Sequence, residues 1–435
     1  MRLLFTSYTD FSLKPRWRSG LFLSLVALVA LVGGAEAIRI AAVTAIEKST
    51  EVSEVQKGLA LDRDNPVLHD RLSRLYGDSL ELSNLAEGVA QARRATALNP
   101  NKSDYWLTLA SACESIRDNA CADQAFERAL VLSPMVPQVW WVAGNHYLVT
   151  DRPEAALPCF RRLLNLSPDY AAATFDLTLH TYSDPRMILE NIVGKGTDTK
   201  LVLAFADFLS ANNDFDTAHQ AWTQVASRGS SFPFEDVRPY LESLLSHGRY
   251  QEARAVWLDL EGRGVIGKPA DSEQGNLVFN GGFERPPLDA GFDWRSQPSS
   301  YVSVDFADAS PHEGAHCLRV DFPVGQNDEF EPVYQILPVV PKQAYTLAAY
   351  ARSRDITSDS GPRLRVTDPA CPSCLIASTA TTVGTTPWHT VTLKFFAGPQ
   401  TQAVRVSVWR PRSRVFPMEI SGSFWLDTVS VRAER

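Results

Sequence analysis

The chain reads as two architectures in series: an all-α solenoid of stacked helix pairs over residues 38–262, then an all-β jelly-roll sandwich over 276–435. Two observations predict this. Four prolines, Pro66, Pro100, Pro134 and Pro168, stand 34 residues apart, each preceded by Asn or Ser, and a fixed period of that length marks a repeat array. From Gln274 onward the sequence changes to short alternating segments separated by Gly, Pro, Asp and Ser, the pattern of strands and turns. A chain of 435 residues also exceeds what one ordinary core accommodates.

Residues 1–37 form the first element. Arg2, Lys14, Arg16 and Arg18 oppose a single acid, Asp10, ahead of the apolar run Leu21 to Val32. This is the layout of an export signal, and the basic flank keeps the N-terminus in the cytoplasm while the remainder is exported. Ala35-Glu36-Ala37 fits the small-x-small pattern of a cleavage site. The segment therefore reads either as a cleaved signal peptide or as a retained N-terminal anchor in the inner membrane, and the mature protein as periplasmic or envelope-bound. No Cys follows the apolar run, so a lipoprotein-type anchor is not expected.

Within the 34-residue period, side chains recur at fixed offsets: Trp106 and Trp140, Ala122 and Ala156, Phe126 and Phe160. Leu109, Gly144 and Tyr147 fall on the same pattern. The unit resembles the tetratricopeptide repeat, in which two antiparallel helices pack bulky side chains against a small one at their crossing. The match is strong over 101–168 and weaker over 67–100. Beyond Pro168 a shortened helix is expected to open at Asp184 and Pro185, a capping residue followed by proline at the first helical position. Ala218 with Trp222 and Ala253 with Trp257 then repeat the small-then-aromatic pair, giving five to six repeats. The resemblance implies a superhelix with a concave groove for a protein partner, which Asn145 and His146 are candidates to reach. Trp106, Trp140, Phe126 and Phe160 are expected in the core.

After a linker at 263–275, four segments alternate apolar with polar or small residues: Leu318 to Phe322, Tyr345 to Ala349, Val391 to Phe395 and Val404 to Val408. Such alternation suits half-buried strands. The opening Asn276-Leu-Val-Phe-Asn-Gly-Gly-Phe-Glu284, Trp294, Gln335 before Leu337-Pro-Val-Val-Pro341, Trp388 and the closing Phe424 to Val431 resemble carbohydrate-binding modules with a galactose-binding-like jelly roll. That resemblance implies a structural calcium between the first and last strands, with Glu284 and Asp427 at the matching positions. It also implies glycan as ligand. Alternation places Trp409 with Arg405 and Tyr350 with Arg352 away from the apolar side, and these four are the carbohydrate-binding candidates. Trp294, Trp388 and Trp425 are expected to fill the core or close the sandwich.

Other motifs carry less. A net charge of −8 without a Lys/Arg run offers no field for phosphate backbones, so nucleic acid is not an expected partner. Gly262 to Pro269 contains glycine spacings of nucleotide-binding loops, but it follows a helix, and Pro269 stands where a phosphate loop needs Ser or Thr. Cys371 and Cys374 lack the second pair that a zinc site needs and are read as a local disulfide. Glu329, Glu331 and Asp321 are read as surface carboxylates. No hydrolase or metalloprotease motif is present, and no cofactor is required. The expected function is exported, non-enzymatic binding: the array recruits envelope or polysaccharide-export proteins and the sandwich binds polysaccharide. The alternative is a protein–protein assembly scaffold whose sandwich binds no sugar.

Overall fold

The computed structural model describes residues 16–78, 82–194, 198–229, 231–267, 275–297 and 300–434. Arg2, Asp10 and Lys14 of the basic flank, and Lys268 and Pro269 with most of the expected linker, lie outside the described residues. The chain forms two compact units that divide between Pro168 and Asp169.

In the first unit, α1 (Arg16–Ile46) is followed by α2 (Val52–Leu61), α3 (Pro66–Gly77), α4 (Leu82–Leu98), α5 (Ser103–Ser115), α6 (Asn119–Leu132), α7 (Pro137–Val149) and α8 (Pro153–Leu166). Helix α1 continues without a break through Ala35, Glu36 and Ala37, and over Trp17–Ile46 it is long and apolar enough to cross a membrane. Its end belongs to the repeats: Val43 is buried with Val55, Leu68 and Leu72, and Ile46 packs against them.

The repeat logic follows from side-chain size. Ala122, Ala156, Phe126 and Phe160 are fully buried. A Cβ at Gly144 would stand 2.8 Å from the Phe160 ring, so only glycine lets α7 and α8 approach this closely. Gly144→Ala is expected to cost about 1–3 kcal/mol, the range for overpacking, seen as a lower denaturant midpoint with an unchanged slope.

Trp106 and Trp140 are half-buried at the core's edge. Each indole N–H donates to a turn carbonyl six residues earlier, Trp106 to Pro100 at 2.9 Å and Trp140 to Pro134 at 3.0 Å. The tryptophans thus fasten each helix to the turn before it, because an indole must keep its N–H satisfied at the edge of a core. Pro100, Pro134 and Pro168 follow helix ends, whereas Pro66 opens α3. There Asn65 accepts from the amides of Val67 and Leu68, and proline at the first helical position sacrifices no hydrogen bond. A disulfide joins Cys113 to Cys121, and another joins Cys371 to Cys374; Cys159 and Cys317 are free and buried.

The second unit begins with α9 (Ala171–Thr181) and the short α10 (Pro185–Ile188), where the Asp184 carboxylate accepts from the Arg186 amide at 3.0 Å. A wider turn, Leu189–Gly194, leads to α11 (Thr199–Ala211), α12 (Phe215–Arg228), α13 (Phe234–Ser246) and α14 (Tyr250–Gly262). Helices α3 to α14 make six successive pairs among the described residues.

The strands are β1 (Arg295–Ser296), β2 (Ser303–Asp308), β3 (Cys317–Gln326), β4 (Phe330–Pro338), β5 (Ala344–Ile356), β6 (Arg363–Thr367), β7 (Ile376–Ser378), β8 (Gly384–Phe396), β9 (Ala403–Arg410) and β10 (Ile420–Ala433). They form two antiparallel sheets, β1-β4-β9-β6-β7 and β2-β3-β10-β5-β8. The apolar sides meet in one core, with Val404, Val406 and Val408 from the first sheet and Leu318, Val320, Leu347 and Leu426 from the second. The opening segment is sewn in by polar side chains. Asn276 accepts from Val278 and Val431 amides, and buried Gln335 exchanges two hydrogen bonds with the Phe279 backbone.

The sandwich is fastened to the last helices. Trp257 of α14 lies edge-on to Phe279 and Phe292, with centroids 5.1 and 5.9 Å away. Glu242 of α13 pairs with both guanidinium ends of Arg295, each at 2.8 Å.

Asp293, 1% exposed, accepts from the amides of Leu288 and Trp294 at 2.8 and 2.7 Å. Burial outweighs these bonds and pushes its carboxyl up to about 6. A raised carboxyl pKa means that the fold prefers the neutral form. Its stabilisation is complete below the unfolded value near 3.8 and is lost as pH rises through about 6. The wild type is therefore expected to lose roughly 2 kcal/mol relative to Asp293→Asn between pH 4 and pH 7. Parallel stability-versus-pH curves for the two proteins would contradict this.

Candidate functional site

Strand alternation and register build one polar, aromatic face on the first sheet. With Val404, Val406 and Val408 in the core, β9 turns Arg405, Ser407 and Trp409 outward. On β6, Leu364 and Val366 point in, leaving Arg363, Arg365 and Thr367 outside. Cross-strand pairing aligns these in rows: Thr367, Arg405 and Ile336; Arg365, Ser407 and Tyr334; Arg363 and Trp409.

These side chains contact one another. The Arg405 guanidinium lies 3.6 Å from the Tyr334 centroid, and Arg365 and Arg363 lie 4.5 and 5.5 Å from that of Trp409. Glu331 receives Arg365 at 2.7 Å, Arg405 at 3.1 Å and the Ser407 hydroxyl at 2.5 Å. Glu329 accepts the Trp409 indole N–H at 2.7 Å and stands 3.5 Å from Arg365. The face is thus a set of guanidinium groups held in place by aromatic rings below and carboxylates beside. Tyr334, Arg363 and Arg365 are absent from the sequence-level candidates, although alternation in Arg363-Leu-Arg-Val-Thr367 carried the signal.

The four carbohydrate candidates do not converge. Tyr350 and Arg352 are on β5, in the second sheet, so they face away from Trp409 and Arg405 on the far side of the sandwich. There Tyr350 stacks on His312 at 3.5 Å, while Arg352 lies 4.2 Å from the Trp425 centroid and 5.1 Å from that of Trp388. Arg319 and Arg354 also approach the Trp425 ring, at 5.4 and 5.5 Å. Trp425 is 4% exposed, yet it is buried beneath arginines on the outer side of β10; inward-pointing Phe424 and Leu426 flank it. Of the three tryptophans expected inside, Trp294 is in the core and donates its indole N–H to the Asn280 carbonyl at 3.0 Å.

Glu284 and Asp427 flank the loop before β3. Glu284 Oε1 accepts from the amides of Ala315 and His316 at 2.8 and 3.2 Å. Asp427 Oδ2 accepts from His312 and Glu313 at 2.7 and 3.0 Å, and Oδ1 from Thr428 at 2.6 Å. Calcium needs six to eight oxygen ligands, and Glu284 Oε1 and both Asp427 oxygens already face amide hydrogens, whose dipoles repel a cation. The two carboxylates therefore do not fit the implied calcium site. No group of three or more His, Cys, Asp or Glu that could hold a metal occurs among the described residues. Treatment with a chelator is expected to leave Tm unchanged, and a drop restored by added calcium would reverse this assignment.

In the first unit, the expected groove residues fall on one cavity but differ in what their side chains hold. Asn145 and His146 both line a cavity of about 500 Å³ with Glu114, Val142 and Val149, and the Asn145 amide donates to the Trp141 carbonyl at 2.7 Å. The His146 side chain is fully buried. Its Nδ1 meets Glu114 at 2.5 Å and its Nε2 meets Asp123 at 2.8 Å, and Arg152 grips Asp123 with two bonds of 2.7 and 2.8 Å. Arg152, then His146, hold the Asp123 carboxyl below its ordinary value. His146 thus pins helices together at the wall of that cavity, its ring engaged by Glu114 and Asp123. A second cavity of about 500 Å³ runs between α3 and α5, lined by Ser73, Arg74, Asp104, Thr108 and Ser111.

No protein-family model matches the chain, and no curated protein matches it. Among solved structures, the crystal structure of MamA is 13% identical, covering 46% of this chain and 90% of its own, with a TM-score of 0.27. The Family 16 Carbohydrate Binding Module-2 is 16% identical over 36% of this chain and 99% of its own, at a TM-score of 0.25. YrrB, a TPR protein with an unusual peptide-binding site, is 13% identical over 49% and 93%, also at 0.25. At such scores these likenesses say nothing about ligand or partner.

Proposed function

We propose that the protein is an exported, non-enzymatic binding and assembly protein, whose helical repeats recruit envelope or polysaccharide-export proteins and whose sandwich binds glycan. The observation that carries the glycan half is the outer face of β4, β9 and β6, where Trp409, Tyr334, three arginines, two glutamates and Ser407 meet in register. Hydrogen-bonding groups held beside aromatic rings on a rigid sheet are what a sugar-binding surface requires. The cavities between α3 and α5 and around Asn145 support the recruiting half. Helix α1, long and apolar enough to span a bilayer, supports an export signal or anchor.

The glycan half is tested with the full chain in detergent against a panel of immobilised polysaccharides. Retention on at least one, lost in Trp409→Ala, is the expected result; retention on none removes this half. For the recruiting half, partners cross-linked in cells are expected to disappear when Ser111→Trp fills the α3/α5 cavity. Partners that survive it would place recruitment elsewhere.

One observation favours the competing reading, a purely protein–protein scaffold. Trp257, Phe279, Phe292 and the Glu242–Arg295 pair make the sandwich a cover for the last helices. That reading predicts partner capture without any polysaccharide binding.

A further inference from the structure

We infer that the glycan taken by the outer face of β4, β9 and β6 is acidic, a uronate-bearing polysaccharide read by arginine forks in place of an open stacking platform. This rests on the glycan-binding reading above and adds the ligand's chemistry to it.

A neutral pyranose is held chiefly by laying its C–H face on an exposed aromatic ring. Here guanidinium groups already occupy ring faces: Arg405 sits 3.6 Å from the Tyr334 centroid and Arg365 4.5 Å from that of Trp409. Arg365 and Arg405 turn part of their N–H edges to Glu329 and Glu331, while Arg363 keeps its own without a carboxylate partner among the described residues. Stacking restrains each guanidinium before any ligand arrives, so little rotamer freedom is lost on binding. A planar fork fixed in this way suits the two oxygens of a carboxylate.

The charges do not cancel. Arg363, Arg365 and Arg405 face Glu329 and Glu331, and Glu331 is committed to Arg365, Arg405 and Ser407. Glu329 is committed to Trp409 and Arg365. Arg363 forms no ion pair with a carboxylate among the described residues; Asp359 acts on it only at a distance and is hydrogen-bonded to Ser413. Partial burial pulls the Arg363 guanidinium below its ordinary value, a cost that an incoming carboxylate offsets. Arg363 and Arg365 project from the same side of one strand, about 7 Å apart, with Arg405 on the adjacent strand. They form a short track of donors, as a polymer with repeated carboxylates requires.

The test uses the full chain in detergent and three probes: polygalacturonate, the same polymer after carboxyl reduction, and double-stranded DNA. Polygalacturonate is expected to bind at least tenfold more tightly than its reduced form, with affinity falling as salt rises. Arg363→Gln is expected to lose about tenfold, a difference of 1.4 kcal/mol, while Arg363→Lys loses less and Lys342→Gln binds normally. Equal binding of the acidic and reduced polymers would overturn the inference and leave the glycan reading intact. Binding of DNA as tight as that of polygalacturonate would overturn it as a nonspecific cation patch. Binding of no polysaccharide would sink both.

Discussion

Replacing Arg410 with Ala or Met is expected to cost about 3–5 kcal/mol, because several buried neutral acceptors lose their donor at once, each worth about 1–3 kcal/mol, and to unfold the sandwich at ordinary growth temperatures. Arg410 is 1% exposed and donates to three main-chain carbonyls: Asp328 at 2.7 Å, Met418 at 2.8 Å and Ser360 at 3.0 Å. It also reaches Asn327 Oδ1 at 3.2 Å and Ser358 Oγ at 3.3 Å. The side chain therefore ties the start of β4, the segment before β6 and the loop between β9 and β10 to one point. An alanine leaves those carbonyls buried without donors, each costing about 1–3 kcal/mol when unsatisfied. Because Arg410 directly follows Trp409 on β9, its loss also releases the strand that presents the candidate face. Calorimetry on the full chain should show the loss in Arg410→Ala. A matching loss in Arg412→Ala, whose side chain is largely exposed and pairs with Asp328, would deny the special standing of Arg410.

Arg410 shows where the sequence is legible and where it is not. In Trp409-Arg-Pro-Arg-Ser-Arg414 three arginines look alike, and composition assigns them all to the surface. The alternation of Val404, Val406 and Val408 nevertheless extends to Arg410 and puts it inside, so pattern would have found what residue type concealed. The same alternation separates inward from outward residues on both sheets, and the proline period located the helix pairs. It could not say which sheet a strand joins, since that depends on pairing across long sequence separations. Tyr350 and Arg352 were grouped with Trp409 and Arg405 for this reason, and the two pairs face opposite ways. The surroundings of His146 and of the two calcium candidates are illegible in the sequence for a related cause. A polar side chain's role depends on acceptors or donors brought from elsewhere: Glu114 and Asp123 to His146, loop amides to Glu284 and Asp427. Trp106 and Trp140 were assigned to the core by size, but each holds a turn through its N–H.

The second large effect is expected at Gly291. Its φ of +58° is left-handed, which costs a residue with a side chain about 1–2 kcal/mol. A Cβ there would also run into the Trp257 ring and stand 2.9 Å from Leu241, and overpacking adds about 1–3 kcal/mol. Gly291 also donates its N–H to Glu242 at 2.7 Å and accepts from Arg295 at 3.0 Å, so it has no room to move aside. Gly291→Ala should therefore loosen the sandwich from α13 and α14, turning their joint unfolding into two separate transitions. Trp257→Leu opens space at the point of collision. The double variant should accordingly lose less than the sum of the two single losses, by more than the ~0.5 kcal/mol within which independent sites add. Strict additivity would mean that Gly291 acts through its backbone conformation alone, and that the Trp257 contact does not couple the helices to the sandwich.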